Sequence, residues 1–216
     1  MGSFADLLRR LERCRWSGAP RHLGFDERGR EILTFLAGHV AWEETRPAEV
    51  GSDESLAAVA RLVRQFHDLT AGSRLAGDQE VVCHNDLSPK NTVYRDLGSG
   101  LRPVAFLDWD LAAPGARVHD VAHVCWQYAG LGPRAAVTEA ARRVRLIADA
   151  YDLPARQELI RTILWWQDRC WKGIVAAANA GDAAMTRLRA LGTVDDVRAA
   201  HRWTAHHRRV LERAMS

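Results

Sequence analysis

The segment VVCHNDLSPKNTVY, residues 81–94, decides how this 216-residue chain is interpreted. It places His84, Asp86 and Asn91 on a short polar loop between two apolar stretches of the kind that form strands. The aspartate and the asparagine supply a carboxylate and an amide oxygen, and Mg²⁺ in proteins prefers such oxygen ligands. The segment therefore predicts a loop that handles a metal ion and phosphate groups.

A second polar loop follows after one β-hairpin. NTVYRD and RPVAFLDWD predict two strands around a glycine-containing turn, and Asp108 and Asp110 lie where the second strand ends. Because a hairpin returns the chain to the edge from which it started, we expect Asp86, Asn91 and Asp108 to converge. Phosphoryl transfer needs such parts: oxygen ligands for the metal that neutralises the phosphates, and another carboxylate that orients a hydroxyl and accepts its proton.

The rest of the chain is mostly helical by pattern. Residues 3–15 repeat apolar side chains at helical spacing, two short apolar stretches around residues 26–29 predict a hairpin, and residues 38–47 a connection. Ser52 predicts the cap of a helix that ends near Thr70. Further helices are predicted at about residues 118–129, 134–151, 155–180, 182–191 and 194–214. This order of elements predicts an α+β fold with a large helical part.

The composition is typical of a globular protein in the cytoplasm. Apolar residues make up 47% and charged residues 26%, and the net charge is +3, so nothing demands a polyanionic partner. No apolar run approaches the roughly 18 residues of a membrane span, and residues 1–6 lack the apolar core of a signal peptide. The four scattered cysteines predict buried, reduced thiols. We expect a cytoplasmic protein that binds neither a membrane nor nucleic acid.

The two polar loops resemble those of a known family. His-x-Asp-x-x-x-x-Asn before a strand, with FLDWD at the end of the next, is the order of a kinase catalytic loop and its metal-binding aspartate. VVCHNDLSPKNTVY and PVAFLDWDLAAPGARVHDVAHVCW are similar to these segments of the aminoglycoside phosphotransferase and choline-kinase-like family of small-molecule kinases. APRHLGFDERGREILTFLAG resembles the last two strands and the hinge of the family's nucleotide lobe. The resemblance implies a protein-kinase-like fold, with a reduced N-terminal lobe (helix plus β-hairpin) at residues 1–38 and a large, mainly helical catalytic lobe at residues 39–216.

The resemblance also implies roles for the residues of the catalytic loop. Asp86 would be the base that orients the acceptor hydroxyl of a small molecule, and Asn91 and Asp108 would hold Mg²⁺. His84 would steady the loop by hydrogen bonding. Lys90 would lie near the transferred phosphate, although a solvated lysine explains its position equally well. The expected reaction transfers the γ-phosphoryl group of a magnesium-bound nucleotide to a hydroxyl.

Residues outside that loop receive roles by the same resemblance. Thr34, Phe35 and Leu36 of the hinge would offer backbone groups to the base of ATP or GTP. Asp120 would be a scaffold carboxylate that pins the catalytic loop, and Asp110 would be a secondary polar group near the metal.

Two family features have no counterpart in these 216 residues, which suggests an N-terminally truncated nucleotide lobe. No G-x-G-x-x-G motif occurs, and no lysine precedes Lys90. Arg9, Arg10 or Arg13 would have to replace the phosphate-binding lysine, although the two cations are not interchangeable. The alternative function is therefore a kinase-fold remnant that binds a metabolite or a protein. Because a lone hairpin is marginally stable, we expect it either to form a homodimer or to pack tightly on the helical part.

The acceptor substrate is left open by the sequence. Trp165 or Trp166 could line its cleft, and Asp168, Glu43 or Glu44 could bind a cationic group. Each of these residues is explained at least as well by core packing or by a solvated surface. The basic last helix, HRWTAHHRRVLERA, favours a solvated face over a nucleic-acid site, because nothing else in the chain continues its charge.

Overall fold

The computed structural model of the chain describes residues 4–42, 47–98, 100–154 and 156–215. Its helices and strands follow in the order helix, hairpin, helix, a strand-rich centre and a helical C-terminal half. The helices are α1 Phe4–Arg13, α2 Asp53–Thr70, α3 Arg117–Ala129, α4 Val137–Tyr151, α5 Leu159–Asn179, α6 Ala183–Ala190, α7 Thr193–His206 and α8 Arg208–Met215. The strands are β1 His22–Phe25, β2 Glu31–Leu33, β3 His39–Val40, β4 Val81–Cys83, β5 Thr92–Asp96, β6 Leu101–Phe106 and β7 Ala113–Gly115. The predicted α+β fold class is confirmed.

The strand pairing in the centre of the chain sets the two polar loops side by side. β5 pairs with β6, and β4 pairs with β7, each in antiparallel orientation. The first loop runs from β4 to β5 and the second from β6 to β7, so both loops connect the same two small sheets. Loops that join the same pair of sheets must cross the same gap. This topology explains why polar residues distant in sequence meet there.

Most of the apolar side chains form one core beneath these sheets. It joins α1 to α2, α3, α4 and α5, and at its centre the rings of Phe66 and Trp109 meet edge to face, 4.9 Å apart. Leu8 and Leu11 of α1 are fully buried in this core. α1 thus packs with the helical part of the molecule, and the predicted division of the chain at residue 38 stays a prediction.

The hairpin β1–β2 lies outside this core. Leu23, Phe25, Ile32 and Leu33 are all exposed, with 61% of the Leu23 surface open to solvent. His22 is the one buried residue in the two strands. The alternative in which the hairpin packs tightly on the helical part is therefore wrong, because its apolar side chains point away from that part. The homodimer stays a prediction.

Several predicted elements are confirmed, and three features differ. The Ser52 hydroxyl caps α2 by accepting a hydrogen bond from the Ser55 amide at 3.2 Å. The predicted last helix, by contrast, breaks at His207 into α7 and α8. β3 and β7 were not predicted because strands of two and three residues are too short to show periodicity. None of the helices in the described residues is long and apolar enough to cross a membrane.

Candidate active site

The start of the catalytic loop is held by one buried carboxylate. Asp120 of α3 is fully buried and accepts hydrogen bonds from the backbone amides of His84 (2.7 Å) and Asn85 (2.9 Å) and from His67 Nε2 (3.0 Å). Burial opposes ionisation, but the hydrogen bonds and charge interactions with His67 and His84 nevertheless hold the pKa of Asp120 below its usual value. Asp120 therefore fixes the loop backbone as an ionised acceptor and stays out of contact with solvent.

A chain of hydrogen bonds supports Asp120 from behind. His67 Nδ1 lies 2.6 Å from the Tyr151 hydroxyl, which in turn accepts a hydrogen bond from Arg117 at 3.2 Å. Since Arg117 can only donate, the Tyr151 hydroxyl donates to His67 Nδ1, and Nε2 carries the imidazole proton that faces Asp120. Sequence reasoning missed His67, Tyr151 and Arg117, because they come from three different helices. The one available signal was a histidine on the apolar face of α2.

Asp120 and His67 also form a compact donor group with Cys83. The three ligand atoms lie within 4.8 Å of one another, and all three side chains are buried. Burial raises the pKa of the Cys83 thiol, and its Sγ already donates to the Ala116 carbonyl oxygen. The group is a hydrogen-bonded packing cluster, since its carboxylate and imidazole are already fully engaged.

Asp86 and Asn91 are joined directly at the far end of the loop. The Asn91 side-chain amide donates to Asp86 Oδ2 at 2.7 Å and to the Asp86 carbonyl oxygen at 2.9 Å. Both donated bonds come from the Asn91 nitrogen, so its amide oxygen remains a candidate ligand. One carboxylate and one amide oxygen are thereby fixed relative to each other.

Asp108 is brought to this pair by the second loop. The Leu107 amide donates to the Asn91 carbonyl oxygen at 2.8 Å, which ties the two loops together just before Asp108. Burial and then the negative charges of Asp86 and Asp110 raise the pKa of Asp108, while Lys90 opposes the shift. The structure thus brings Asp86, Asn91 and Asp108 together and gathers three carboxylates at one point.

His84 lies beneath this point and does not face solvent. Its Nε2 donates to the Leu107 carbonyl oxygen at 3.0 Å, and its Nδ1 accepts from the Asp86 amide at 3.3 Å. Burial lowers the pKa of His84, although the nearby charges of Asp120 and Asp86 oppose the shift. A fully buried, neutral imidazole with both nitrogens engaged positions the loop and has no free atom for a substrate.

Lys90 differs from its neighbours in the loop. Its side chain is exposed and makes no hydrogen bond or ion pair with any residue in the described ranges. Its positive charge acts on Asp108 and opposes the rise of that carboxyl's pKa. Lys90 is therefore free to meet an anionic ligand beside the carboxylates.

The donor set fits a magnesium ion. Asn91 and Asp108 offer oxygen atoms, the ligand type that Mg²⁺ prefers, and they leave other coordination positions to water or phosphate. Besides burial, the negative charges of Asp86 and Asp110 raise the pKa of Asp108, and a divalent cation would relieve that repulsion. Asp108 also has a φ of 60°, in the left-handed region, which aspartate adopts more readily than most residues.

The hinge residues take different positions. Thr34 and Leu36 line a cavity of about 490 Å³, whereas Phe35 is 88% exposed and is not among its lining residues. The Thr34 amide donates to the Arg21 carbonyl oxygen at 3.0 Å, so this group already has a partner inside the hairpin. Binding of a nucleotide base by the three hinge residues stays a prediction.

Three of the residues considered for the acceptor belong to α5. Trp166 is buried and donates to the His119 carbonyl oxygen at 2.8 Å, which makes it a core residue. Trp165 is half-exposed and stacks on the His119 ring at 5.3 Å. Asp168 pairs with Lys172 at 2.6 Å, as a surface acid does. Glu43 and Glu44 lie outside the described residues.

The fold and the two facing loops are those of a phosphotransferase of protein-kinase-like fold. The model of the phosphotransferase enzyme family matches residues 1–159, and the chain belongs to that family.

Individual proteins are similar to this chain in sequence or in fold. The chain is 32% identical to the trifolitoxin immunity protein of Rhizobium leguminosarum bv. trifolii. The alignment is 243 positions long with its gaps, and it covers 97% of this chain and 87% of that protein. Its structure is similar to that of an aminoglycoside phosphotransferase assigned in Ralstonia eutropha JMP134, with a TM-score of 0.64, 13% identity and coverage of 95% and 83%. It is also similar to APH(2″)-IIIa in its complex with GDP and kanamycin, with a TM-score of 0.53, 14% identity and coverage of 97% and 82%. At these identities the two structures speak to the fold alone.

Proposed function

We propose that the protein transfers the γ-phosphoryl group of a magnesium-bound nucleoside triphosphate to a hydroxyl group of a small molecule. The observation that carries the proposal is the junction of the two loops, where Asn91 donates to Asp86 and accepts from the backbone next to Asp108. This junction supports a shared site for the three oxygen-bearing side chains that the chemistry requires, those of Asp86, Asn91 and Asp108.

Each side chain has a distinct part in the proposed reaction. Asn91 and Asp108 would hold Mg²⁺, which when bound neutralises the phosphate oxygens. Asp86 would accept a hydrogen bond from the acceptor hydroxyl, direct its oxygen at the phosphorus and take up its proton. The Lys90 ammonium group would contact the phosphate oxygens from the solvent side. His84 would hold the Asp86 amide in place without contacting the substrate.

The choice of Asp86 as the base follows from its position. It is only partly buried, and one of its oxygens accepts the Asn91 amide, which leaves the other oxygen for a hydroxyl. His84 has no free ring nitrogen, and Asp108 faces the proposed metal. Asp86 is thus the group that can both orient a substrate and receive its proton.

ATP and GTP are both proposed as donors. The APH(2″)-IIIa structure contains GDP. Because the two proteins share a fold, guanine and adenine nucleotides should both be tested in a first assay. The acceptor class is a hydroxylated metabolite or an aminoglycoside-like molecule.

The proposal is tested by combining titration with turnover. Calorimetric titration with magnesium-ATP and magnesium-GTP should show binding, and slow nucleotide hydrolysis should follow. Asp86→Asn should reduce that turnover by about 10³-fold, because it removes the proton acceptor while keeping an oxygen for Asn91. Asp78→Asn, an exposed aspartate in the turn before β4, is the matched control and should retain full turnover. Unchanged turnover in Asp86→Asn would rule out the assignment.

A second candidate is a binding module that protects by holding its ligand without phosphorylating it. The relative named as an immunity protein favours it, since immunity to a toxin can be conferred by binding alone. The same experiment separates the two functions. A binding module would show the same affinity for the titrated nucleotide in wild type and Asp86→Asn, and no turnover in either. The enzyme would show turnover in wild type and lose it in the variant.

A further inference from the structure

A cavity of about 490 Å³ lies at the N-terminal end of the molecule. Its walls come from the end of α1, the segment between α1 and β1, the hinge and the exposed end of β5. Cavities that hold small molecules have volumes of about 300–1,000 Å³. The space is therefore large enough for a ligand of nucleotide size.

The charged groups that line this cavity are mainly arginines. Among the lining residues that the structure describes, Arg15, Arg21 and Arg95 contribute three positive charges and Glu12 contributes one negative charge. Arg21 pairs with Glu12, with Nε and Oε1 3.6 Å apart. The lining thus carries a positive charge that its own acid does not balance.

Two of the arginines have donors left for a ligand. Arg95 donates from Nε to the Ala37 carbonyl oxygen at 2.7 Å, which fixes the guanidinium while its terminal amino groups make no hydrogen bond to any described residue. The Arg15 side chain makes no hydrogen bond or ion pair within the described ranges. The Arg15 backbone has a φ of 55°, in the left-handed region that arginine rarely adopts. A guanidinium with free, parallel donors matches the geometry of a phosphate group.

The inner wall of the cavity is rigid and reaches the second polar loop. Trp16 stacks on Phe66 with ring centroids 5.9 Å apart and meets Trp109 edge to face at 6.3 Å. The Gly18 carbonyl oxygen accepts a hydrogen bond from the Phe106 amide at 2.8 Å, two residues before Asp108. A Cβ on Gly18 would lie 2.2 Å from the Trp16 ring, so this close packing needs glycine. The cavity is thus built on the same support as the metal-binding loop.

We propose that this cavity is a binding site for a phosphate-bearing small molecule other than the phosphoryl donor, with Arg15, Arg21 and Arg95 as the groups that bind its phosphates. The inference does not require phosphoryl transfer, because the cavity lining includes neither Asp86, Asn91 nor Asp108. It also replaces the expectation for α1. Arg10 donates to the Leu69 carbonyl oxygen and Arg9 to Asp6, and neither lines the cavity.

The test is calorimetric titration of the full chain with pyrophosphate in EDTA, so that no metal site contributes. Wild type should bind, and Arg15→Gln and Arg95→Gln should each weaken binding by about tenfold. Arg28→Gln removes the same charge from the hairpin turn and should leave the affinity unchanged. Because the Arg15 side chain has no bond to lose, Arg15→Gln should keep the wild-type melting temperature. Absence of pyrophosphate binding in wild type, or equal affinities for Arg15→Gln and Arg28→Gln, would overturn the inference.

Competition with the donor nucleotides tests whether this site is separate from the site of phosphoryl transfer. ATP or GTP should not displace pyrophosphate, and Arg15→Gln should leave the KM of either nucleotide unchanged, because the donor's phosphates are proposed to lie at Asn91 and Asp108. Displacement of pyrophosphate by a nucleotide, together with a raised KM in Arg15→Gln, would show that the cavity is the donor site and would overturn the inference. Persistent turnover in Asp86→Asn would defeat the proposed reaction and leave the pyrophosphate result intact.

Discussion

The loops around Asp86 and the hairpin around Asp26 are both polar turns between short strands, but they are held in opposite ways. The catalytic loop is held by a buried carboxylate: two of its backbone amides donate to Asp120 of α3, which also accepts a hydrogen bond from His67 of α2. The hairpin turn is closed by Asp26, which accepts from the Arg28 and Arg30 amides within five residues of sequence. The conformation of the catalytic loop therefore depends on tertiary contacts, whereas that of the hairpin turn depends on hydrogen bonds within the turn.

This difference separates the stability of the two regions. Local opening requires little free energy where few apolar side chains are buried, and the hairpin buries His22 alone. Opening the catalytic loop would break bonds to α2 and α3 within the main core. The residues proposed for chemistry therefore lie on the part of the molecule that is hardest to deform, as precise positioning of a phosphoryl group requires.

The largest expected effect is a loss of turnover on substitution of a residue in the candidate active site. Asp108→Asn should lower phosphoryl transfer by about 10³-fold, because it removes the charged metal ligand. Its folding stability should be unchanged or slightly raised, since the variant relieves repulsion from Asp86 and Asp110, and asparagine tolerates the left-handed backbone. Steady-state kinetics and urea unfolding measure the two quantities. Asp26→Asn in the hairpin is the control, and an equal loss of turnover there would erase the distinction.

The next effect is on stability. Asp120→Asn should reduce the free energy of unfolding by about 3 kcal/mol or more, because an amide has one acceptor oxygen for three buried donors. Asp68→Asn is the matched control; Asp68 pairs with Arg64 and Arg117 at the half-exposed end of the same network, and its loss should cost less than about 1 kcal/mol. Chemical denaturation compares them. Similar losses for the two variants would mean that burial of Asp120 is unimportant.

A smaller effect appears as a pH dependence of stability. Burial lowers the pKa of both His84 and His123 in the folded protein. Their contribution to stability is therefore complete above the unfolded value of about 6.5 and is lost as the pH falls toward the folded pKa values. The free energy of unfolding should decrease between pH 7 and pH 5.5, and His123→Gln should flatten that slope. His206→Gln, on the exposed side of α7, should not. A wild-type curve that is flat over this range would contradict the buried, neutral state of these imidazoles.

The smallest effect on stability is expected in the hairpin. A double variant of the hairpin and the adjoining hinge, Leu23→Ser with Phe35→Ser, should change the free energy of unfolding by less than about 0.5 kcal/mol, because both side chains are exposed. If the hairpin forms the predicted homodimer, the same variant should convert wild-type dimers to monomers in sedimentation velocity. A wild type that stays monomeric at high micromolar concentration would rule out the predicted homodimer and an intermolecular partner for the hairpin edge.

The sequence was most informative where spacing and chemistry coincided. The interval between Asp86 and Asn91, and the position of Asp108 at a strand end, were enough to predict a shared site, because a hairpin constrains where its ends lie. The capped start of α2 at Ser52 followed from an equally local rule. Elements with a strong periodic pattern were predicted for the same reason.

The rest depends on contacts that no local pattern encodes. His67, Arg117 and Tyr151 come from three helices, and only the packing of those helices places them behind Asp120. The break at His207 has no glycine or proline to announce it. The arginine-lined cavity likewise joins residues from α1, the hinge and β5. Side chains that assemble in this way become visible only with the tertiary structure.

The central claim is that Asn91 and Asp108 share one divalent ion beside Asp86. The most direct measurement is a crystal structure of the protein with Mn²⁺ and a nucleotide, in which anomalous scattering locates the metal. The account predicts a peak about 2.1 Å from both Asn91 Oδ1 and an Asp108 carboxylate oxygen, close to the distances that Mg²⁺ adopts, with Asp86 nearby but uncoordinated. A peak bound elsewhere, or a nucleotide bound with no metal between these two residues, would contradict it.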